Sequence, residues 1–256
     1  MKYERFIVVG DVHGCLEELD ELLLKVEYRH GDKDKLVFVG DLVDRGPDPV
    51  GCVRRARELG AGCSMGNHEE KHIRWRSWEK RIANGEAKKN PMHRFDDVRM
   101  VEHNNLSEDD ISYLMAMPKT VGLGHQPWVV VHAGFESNGV PWSEQARDRV
   151  CRVRNVDAAG KMASDHKNPL ADVPGSVPWA VRWQGPENVI YGHAVHSRSE
   201  PRVDAHEGYA CYGIDTGCVF GGRLTALVLP DGGKPEFAQV QAKREYHPWG
   251  NRNQND

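Results

Sequence analysis

The hydrophobic pattern of the first seventy residues alternates between short unbroken runs and a period of three to four. RFIVV at 5–9 is a β-branched run ending at Gly10. In LEELDELLLKV, 16–26, Leu16, Leu19, Leu22, Leu23 and Val26 recur at helical spacing. KLVFV at 35–39 predicts a second strand, and PVGCVRRAREL at 49–59 a second helix stopped by Gly60. GCSMG at 62–66 is a weaker third strand. Strands alternating with amphipathic helices predict an α/β fold whose first strands run parallel beneath a helical cover.

From Glu69 to about Met100 the apolar signal fades, and nine Lys or Arg residues stand among six acids. EEKHIRWRSWEKRIA predicts a helix with a solvated face, and NGEAKKNPMH a loop. LSEDDISYLMAMP, 106–118, predicts a helix with Ser107 as N-cap and Pro118 as its stop. The remainder reads as strands: TVGL, WVVVH, NVIYGH, YACYGID and LTALVLP. Residues 137–187 form a long irregular connection, of the kind that lines a site or moves. Residues 1–246 are expected to form one domain, with 247–256 as a frayed tail.

Composition narrows the function classes. A net charge of −4 gives no basic field for nucleic acid, so none is expected as partner beyond a phosphorylated end. No apolar run is long enough for a membrane span, and the N-terminal run is too short for a signal peptide. Six scattered cysteines without a CxxC pair predict reduced thiols in the cytoplasm.

Chemistry concentrates after the strands. IVVGDVHG delivers Asp11 and His13, and VFVGDLVDRG delivers Asp41, Asp44 and Arg45. CSMGNHEE delivers Asn67 and His68, WVVVHAG delivers His132, and VIYGHAV delivers His193. Taken singly, an aspartate after a strand is a turn or cap residue, and a histidine after VVV a core residue. Repetition at five strand ends argues instead for a crevice at the carboxyl edge of a sheet. Carboxylate, amide and imidazole donors suit manganese, iron, zinc or nickel. Six such donors exceed what one open ion needs and match two ions sharing a carboxylate.

GDVHG, GDLVDRG, GNHE, HAG and GH, in this order, resemble the signature of the phosphoprotein phosphatase branch of the calcineurin-like metallophosphoesterases. IDTGCVFGGRLTAL, 214–227, is similar to the C-terminal block of bacterial diadenosine tetraphosphate hydrolases and small bacterial and phage serine/threonine phosphatases. The resemblance implies a four-layer fold, two mixed β-sheets packed face to face and flanked by helices. It implies Asp11 and His13 as ligands of one metal, Asp41 as the bridge, and Asn67, His132 and His193 as ligands of the second. His68 would protonate the leaving group, Asp44 would orient His68, and Arg45 would bind phosphate. A second phosphate-binding arginine is expected in CRVRNVDAAGK, where Arg154 is favoured over Arg152. His196 and Asp215 are given supporting roles. His30, His72, His93, His103, His125, His166, His206 and His247 lack motifs and are expected at the surface.

The implied activity is hydrolysis at phosphorus by a hydroxide bridging two divalent ions, manganese first. The intact GDLVDRG and GNHE favour a phosphoserine or phosphothreonine phosphatase as the leading expectation. The alternative is a bis(5'-nucleosyl)-tetraphosphatase or polyphosphatase, and the distant one a non-catalytic phosphate-binding module. Phosphorylated protein or nucleotide is the implied partner.

Overall fold

The computed structural model describes residues 3–31, 33–124, 127–163 and 173–249. In chain order the elements begin β1 (Arg5–Val9), α1 (Leu16–Lys25), β2 (Asp34–Phe38), α2 (Pro49–Glu58) and β3 (Gly62–Cys63). Three helices follow, α3 (Asn67–Ala83), α4 (Asp97–Asn105) and α5 (Glu108–Met115), then strands β4 (Thr120–Gly122) and β5 (Trp128–Val131). The connection after β5 carries α6 (Arg147–Val150), β6 (Asn155–Val156), β7 (Met162–Ala163) and β8 (Val177–Pro178). The chain continues through β9 (Asn188–Tyr191), β10 (Arg202–Ala205), β11 (Ala210–Gly213), β12 (Arg223–Pro230) and β13 (Glu236–Gln241).

Two five-stranded sheets result, ordered β13-β12-β1-β2-β3 and β10-β11-β9-β5-β4, and β7-β6-β8 form a small third. β1, β2 and β3 run parallel, as do β5, β9 and β11; β12, β13, β4 and β10 are antiparallel to their neighbours. Both faces of the central strands are buried, which explains why they read as unbroken apolar runs. Val8, Val37, Val130 and Ile190 point between the sheets, where Leu227 and Leu229 join them. Their neighbours Ile7, Val9, Leu36 and Phe38 turn the other way, onto Leu19, Leu22 and Val53 of α1 and α2. Each such side chain contributes about 1.5–3 kcal/mol of burial.

The outer face of the second sheet is covered differently. Val129, Val131, Val189 and Tyr191 pack on Phe135, Val153, Trp179 and Trp183 of the long connection. Phe135 and Trp183 stack at 5.2 Å, and Trp179 meets Tyr191 edge-on at 5.0 Å. The described part of the connection after β5 therefore lays an aromatic layer over the sheet. Of the tail, His247 and Trp249 lay their rings on Phe220 at 5.9 and 5.2 Å, and 250–256 lie outside the described residues.

Ser107 caps α5 by accepting from Asp110 N at 3.1 Å, as its sequence predicts. Outside the long connection, whose short α6 and β6–β8 were read as irregular, three elements lacked a sequence signal, α4, β10 and β13. α4 is an inverted amphipathic helix. Its buried residues are Arg99, Glu102 and His103, while Val98 and Val101 are 80% and 62% exposed. No helix among the described residues is long and apolar enough to cross a membrane.

Candidate metal centre and active site

The strand ends of the two sheets meet at one edge. His132, at the end of β5, donates Nδ1–H to Val39 O beyond β2, 3.0 Å away, and so ties the sheets together there. His13 donates Nδ1–H to Val43 O at 2.8 Å. A carbonyl can only accept, so each bond fixes the tautomer and leaves Nε2 facing inward. These Nε2 atoms point at one carboxylate oxygen, Asp41 Oδ2, from 3.5 Å (His13) and 3.4 Å (His132), with His68 Nε2 at 3.9 Å. Asn67 Oδ1 lies 3.0 Å from His132 Nε2.

Two donor clusters share Asp41: His13, Asp41 and His68, and Asp41, His132 and His193. Asp11 joins from the floor, accepting from His193 N–H at 3.1 Å on each oxygen. Gly192 is obligatory there, because a Cβ would come within 1.9 Å of Asp11 Oδ1. Burial opposes ionisation of Asp41, yet the imidazoles of His132 and His68 outweigh it and hold its carboxyl well below the usual range. His132 is raised against the effect of its own burial, chiefly by Asp41. The two shifts are the two ends of one buried ion pair. Oxygen and imidazole donors turned inward, with ring N–H groups anchored behind them, fit divalent cations. Asp11, His13, Asp41, Asn67, His132 and His193 are the residues that could hold them.

Backbone conformation marks the same residues. Six described residues other than glycine have positive φ, and five of them are His13 (44°), Asp41 (51°), Asp44 (69°), Arg45 (73°) and His193 (67°). Such conformations cost about 1–3 kcal/mol each and gather where a site needs its side chains re-aimed. Packing in the surrounding sheets holds them.

Behind the centre lies a second network. His68 Nδ1 bonds Asp44 Oδ2, and Arg99 grips both Asp44 oxygens, with Nε 2.6 Å from Oδ1 and Nη2 on Oδ2. His72 Nε2 reaches Asp44 Oδ1 at 3.0 Å. Asp44 N–H donates to Glu102 Oε1 at 3.0 Å. Burial alone would raise Asp44, but His68 and His72 hold it well below the carboxylate range. The Glu69 carboxylate accepts from Leu42 N (2.7 Å), Asp41 N (2.9 Å) and Gly66 N (3.0 Å), clamping the GDLVD turn to the start of α3.

Arg45 donates to His13 Nε2 at 2.8 Å, and its guanidinium lies 5.3 Å from the Phe220 ring centre. Arg152 instead pairs with Glu70 of α3. Arg154 lies within electrostatic reach of His196, three residues past His193. Asp215 is buried; burial lifts it to about 6, with Asp41 adding to the rise.

The eight histidines expected at the surface divide. His72 and His103 are fully buried, a correction: α4 roofs over α3, and their Nδ1 atoms meet at 3.0 Å. His206 and His247 are half-buried, His30 and His93 exposed, and His125 and His166 lie outside the described residues. Arg99, His72, Glu102 and Glu69 are the functional candidates that motif reading missed. Only Glu69 carried a signal, as the last letter of GNHE.

The family profile Metallophos, calcineurin-like phosphoesterase, matches residues 4–193. Among curated proteins, the chain is 29% identical over 250 residues to bis(5'-nucleosyl)-tetraphosphatase PrpE (asymmetrical) of Oceanobacillus iheyensis, covering 93% of each chain. It is 30% identical over 243 residues to the protein of that name from Bacillus thuringiensis, covering 90% of this chain and 92% of the relative. A crystal structure of a candidate diadenosine tetraphosphatase superposes with a TM-score of 0.72 at 30% identity, covering 93% and 94% of the two chains. A Saccharomyces cerevisiae serine/threonine phosphatase with similarity to human PP5 superposes with a TM-score of 0.58 at 16% identity, covering 96% and 81%. That second likeness concerns the fold alone.

Proposed function

The chain belongs to the calcineurin-like phosphoesterase family of metal-dependent hydrolases, and from that premise we propose that it cleaves a phosphoanhydride bond in dinucleoside polyphosphates. The observation that carries the substrate class is the full-length likeness, at 29–30% identity, to proteins named bis(5'-nucleosyl)-tetraphosphatase. The sequence motifs ranked a phosphoserine or phosphothreonine phosphatase first; the relatives favour the tetraphosphatase instead. The phosphatase stays as second reading because the buried His68–Asp44 pair is complete. A proton donor of that kind serves a strongly basic alkoxide leaving group best.

Asp11 and His13 would hold one divalent ion, Asn67, His132 and His193 a second, and Asp41 both. Manganese, iron, zinc or nickel suits these donors. Such ions, when bound, polarise the phosphoryl oxygens and lower the pKa of water. The chain's own residues do the rest. Arg45 and Arg154 hold phosphate oxygens through planar guanidinium forks. His68 delivers a proton to the departing oxygen, and Asp44 keeps that imidazole in the required tautomer. Six buried, unbridged cysteines fit a reducing compartment such as the cytoplasm.

The test compares rates on diadenosine tetraphosphate and a phosphothreonine peptide, after chelation and then with each divalent metal restored. The expected result is metal-dependent release of a mononucleotide and a nucleoside triphosphate, faster than release of phosphate from the peptide. A faster peptide reaction would hand the assignment to the second reading, and metal-independent rates would sink both.

A further inference from the structure

A groove of about 480 Å³ lies between the turn after β2 and helix α4. That size falls within the ~300–1,000 Å³ range of small-molecule sites. Arg45 forms its inner end, Pro47 and Pro49 one wall, and Val98, Val101 and Asn105 the other. Arg45 is also the residue whose guanidinium reaches His13 at the metal centre, so groove and centre are continuous through one side chain.

The exposure of the valine wall needs a cause. Lone exposed valines are ordinary surface. These two lie on a helix that buries an arginine, a glutamate and a histidine instead of them. They line one groove together with Pro47, Pro49 and the cationic Arg45, an apolar patch set among polar side chains. Asn105 adds an exposed amide, both donor and acceptor, at the rim. Arg54 also lines the groove, tied to Asp110 and to Asn105 O. Two acids lie close. Asp48 is engaged as N-cap of α2, accepting from Gly51 N at 2.8 Å. Glu102 is raised to about 9 by burial and then by Asp44, so it adds no charge that would repel an anion at neutral pH.

We infer that this groove holds one nucleoside of a dinucleoside polyphosphate, its base against Val98 and Val101 and its phosphates running past Arg45 to the metal centre. The inference rests on the tetraphosphatase reading above and adds where the second half of the substrate is recognised. An apolar patch suits a heteroaromatic base, a neighbouring amide suits its polar edge, and the arginine suits the phosphate chain.

The experiment measures kcat and KM on diadenosine tetraphosphate and on p-nitrophenyl phosphate, which has no nucleoside to place. Val98→Asp and Val101→Asp alter exposed positions outside the catalytic set, and Val101→Trp adds surface for stacking. Each aspartate variant should raise KM for diadenosine tetraphosphate at least about tenfold, the response to about 1.4 kcal/mol of lost binding. Kinetics on p-nitrophenyl phosphate should stay within about twofold, and Val101→Trp should lower KM for the dinucleotide alone. Unchanged dinucleotide KM in all three variants, or equal loss on both substrates, overturns the groove assignment while leaving the tetraphosphatase reading standing. A wild-type enzyme that hydrolyses p-nitrophenyl phosphate but leaves the dinucleotide intact overturns both.

Discussion

Replacing Asp44 by Asn tests the network behind His68 most directly. The wild-type carboxylate is buried and bonded by His68, His72 and Arg99. Asn has one carbonyl oxygen, so the two-pronged grip of Arg99 is lost and its buried guanidinium loses the anion it was paired with. Breaking a buried pair in this way costs about 3–5 kcal/mol. For a chain of this length each kcal/mol lowers Tm by about 2–4 °C, so a fall of roughly 6–20 °C is expected in a thermal melt. Turnover suffers separately. Without its carboxylate partner the His68 ring loses its fixed orientation, and kcat should fall by about 10²–10⁴, the usual worth of a positioned acid. Metal content, measured by elemental analysis, should stay at the wild-type level, because the Asp44 side chain bonds His68, His72 and Arg99 and none of the six candidate ligands. The double variant Asp44→Asn/Arg99→Gln separates the two effects. It removes the orphaned charge and should recover most of the lost Tm while kcat stays low. A single variant that keeps kcat within about threefold, or that loses metal, would refute the reasoning, since general-acid loss in this range is far larger.

The neighbouring aspartate should behave oppositely. Asp41→Asn removes the oxygen on which His13 and His132 converge, so bound metal should fall to less than half of the wild-type content, with turnover lost alongside; retained metal would remove Asp41 from the centre. Glu102 gives a stability prediction with a definite sign. Burial, then Asp44, raises its carboxyl to about 9 in the fold from an ordinary 4.5. The folded chain therefore binds the extra proton between those values, and the favourable contribution, complete below 4.5, disappears as pH rises through the folded value. Glu102→Gln carries no such dependence. From about pH 5 to pH 9 the wild type should lose stability relative to it, by at most about 1.4 kcal/mol per unit. Parallel melting curves across that range would contradict it.

The central strands and first two helices were legible because both their faces, or one clean stripe, are apolar. The candidate ligands were legible because each follows such a strand, at four of the five ends through a glycine and at His132 directly, and folding gathers strand ends at one edge. α4 was not, because its apolar residues face solvent and its buried ones are polar, the reverse of the pattern that periodicity detects. Arg99 therefore looked like one more cation in a charged stretch. His72 lies four residues past His68 on the same helix face, and only the roof supplied by α4 turns that position inward. β13 escaped because it alternates weakly at a sheet edge, where Val240 is buried while Glu236, Phe237 and Gln241 are exposed. The aromatic layer over the second sheet was invisible for a different reason: its cohesion is ring against ring across distant positions, which no local window records.

The strand order also governs when the molecule becomes functional during synthesis. β1 emerges first, but its antiparallel neighbour is β12, and Arg5 pairs with Pro230. Glu18 of α1 accepts from Lys243 N at 3.0 Å and from Tyr246 at 2.7 Å. Everything from β1 to β12 must therefore leave the ribosome before the first sheet can close. Until then the GDVHG and GDLVDRG turns, held in left-handed backbone by the packing around them, lack the support that re-aims their side chains. Pairings of such separation are slow to form and leave apolar strands uncovered meanwhile. Competence for catalysis thus arrives with the last two strands, long after the residues that perform it have been made.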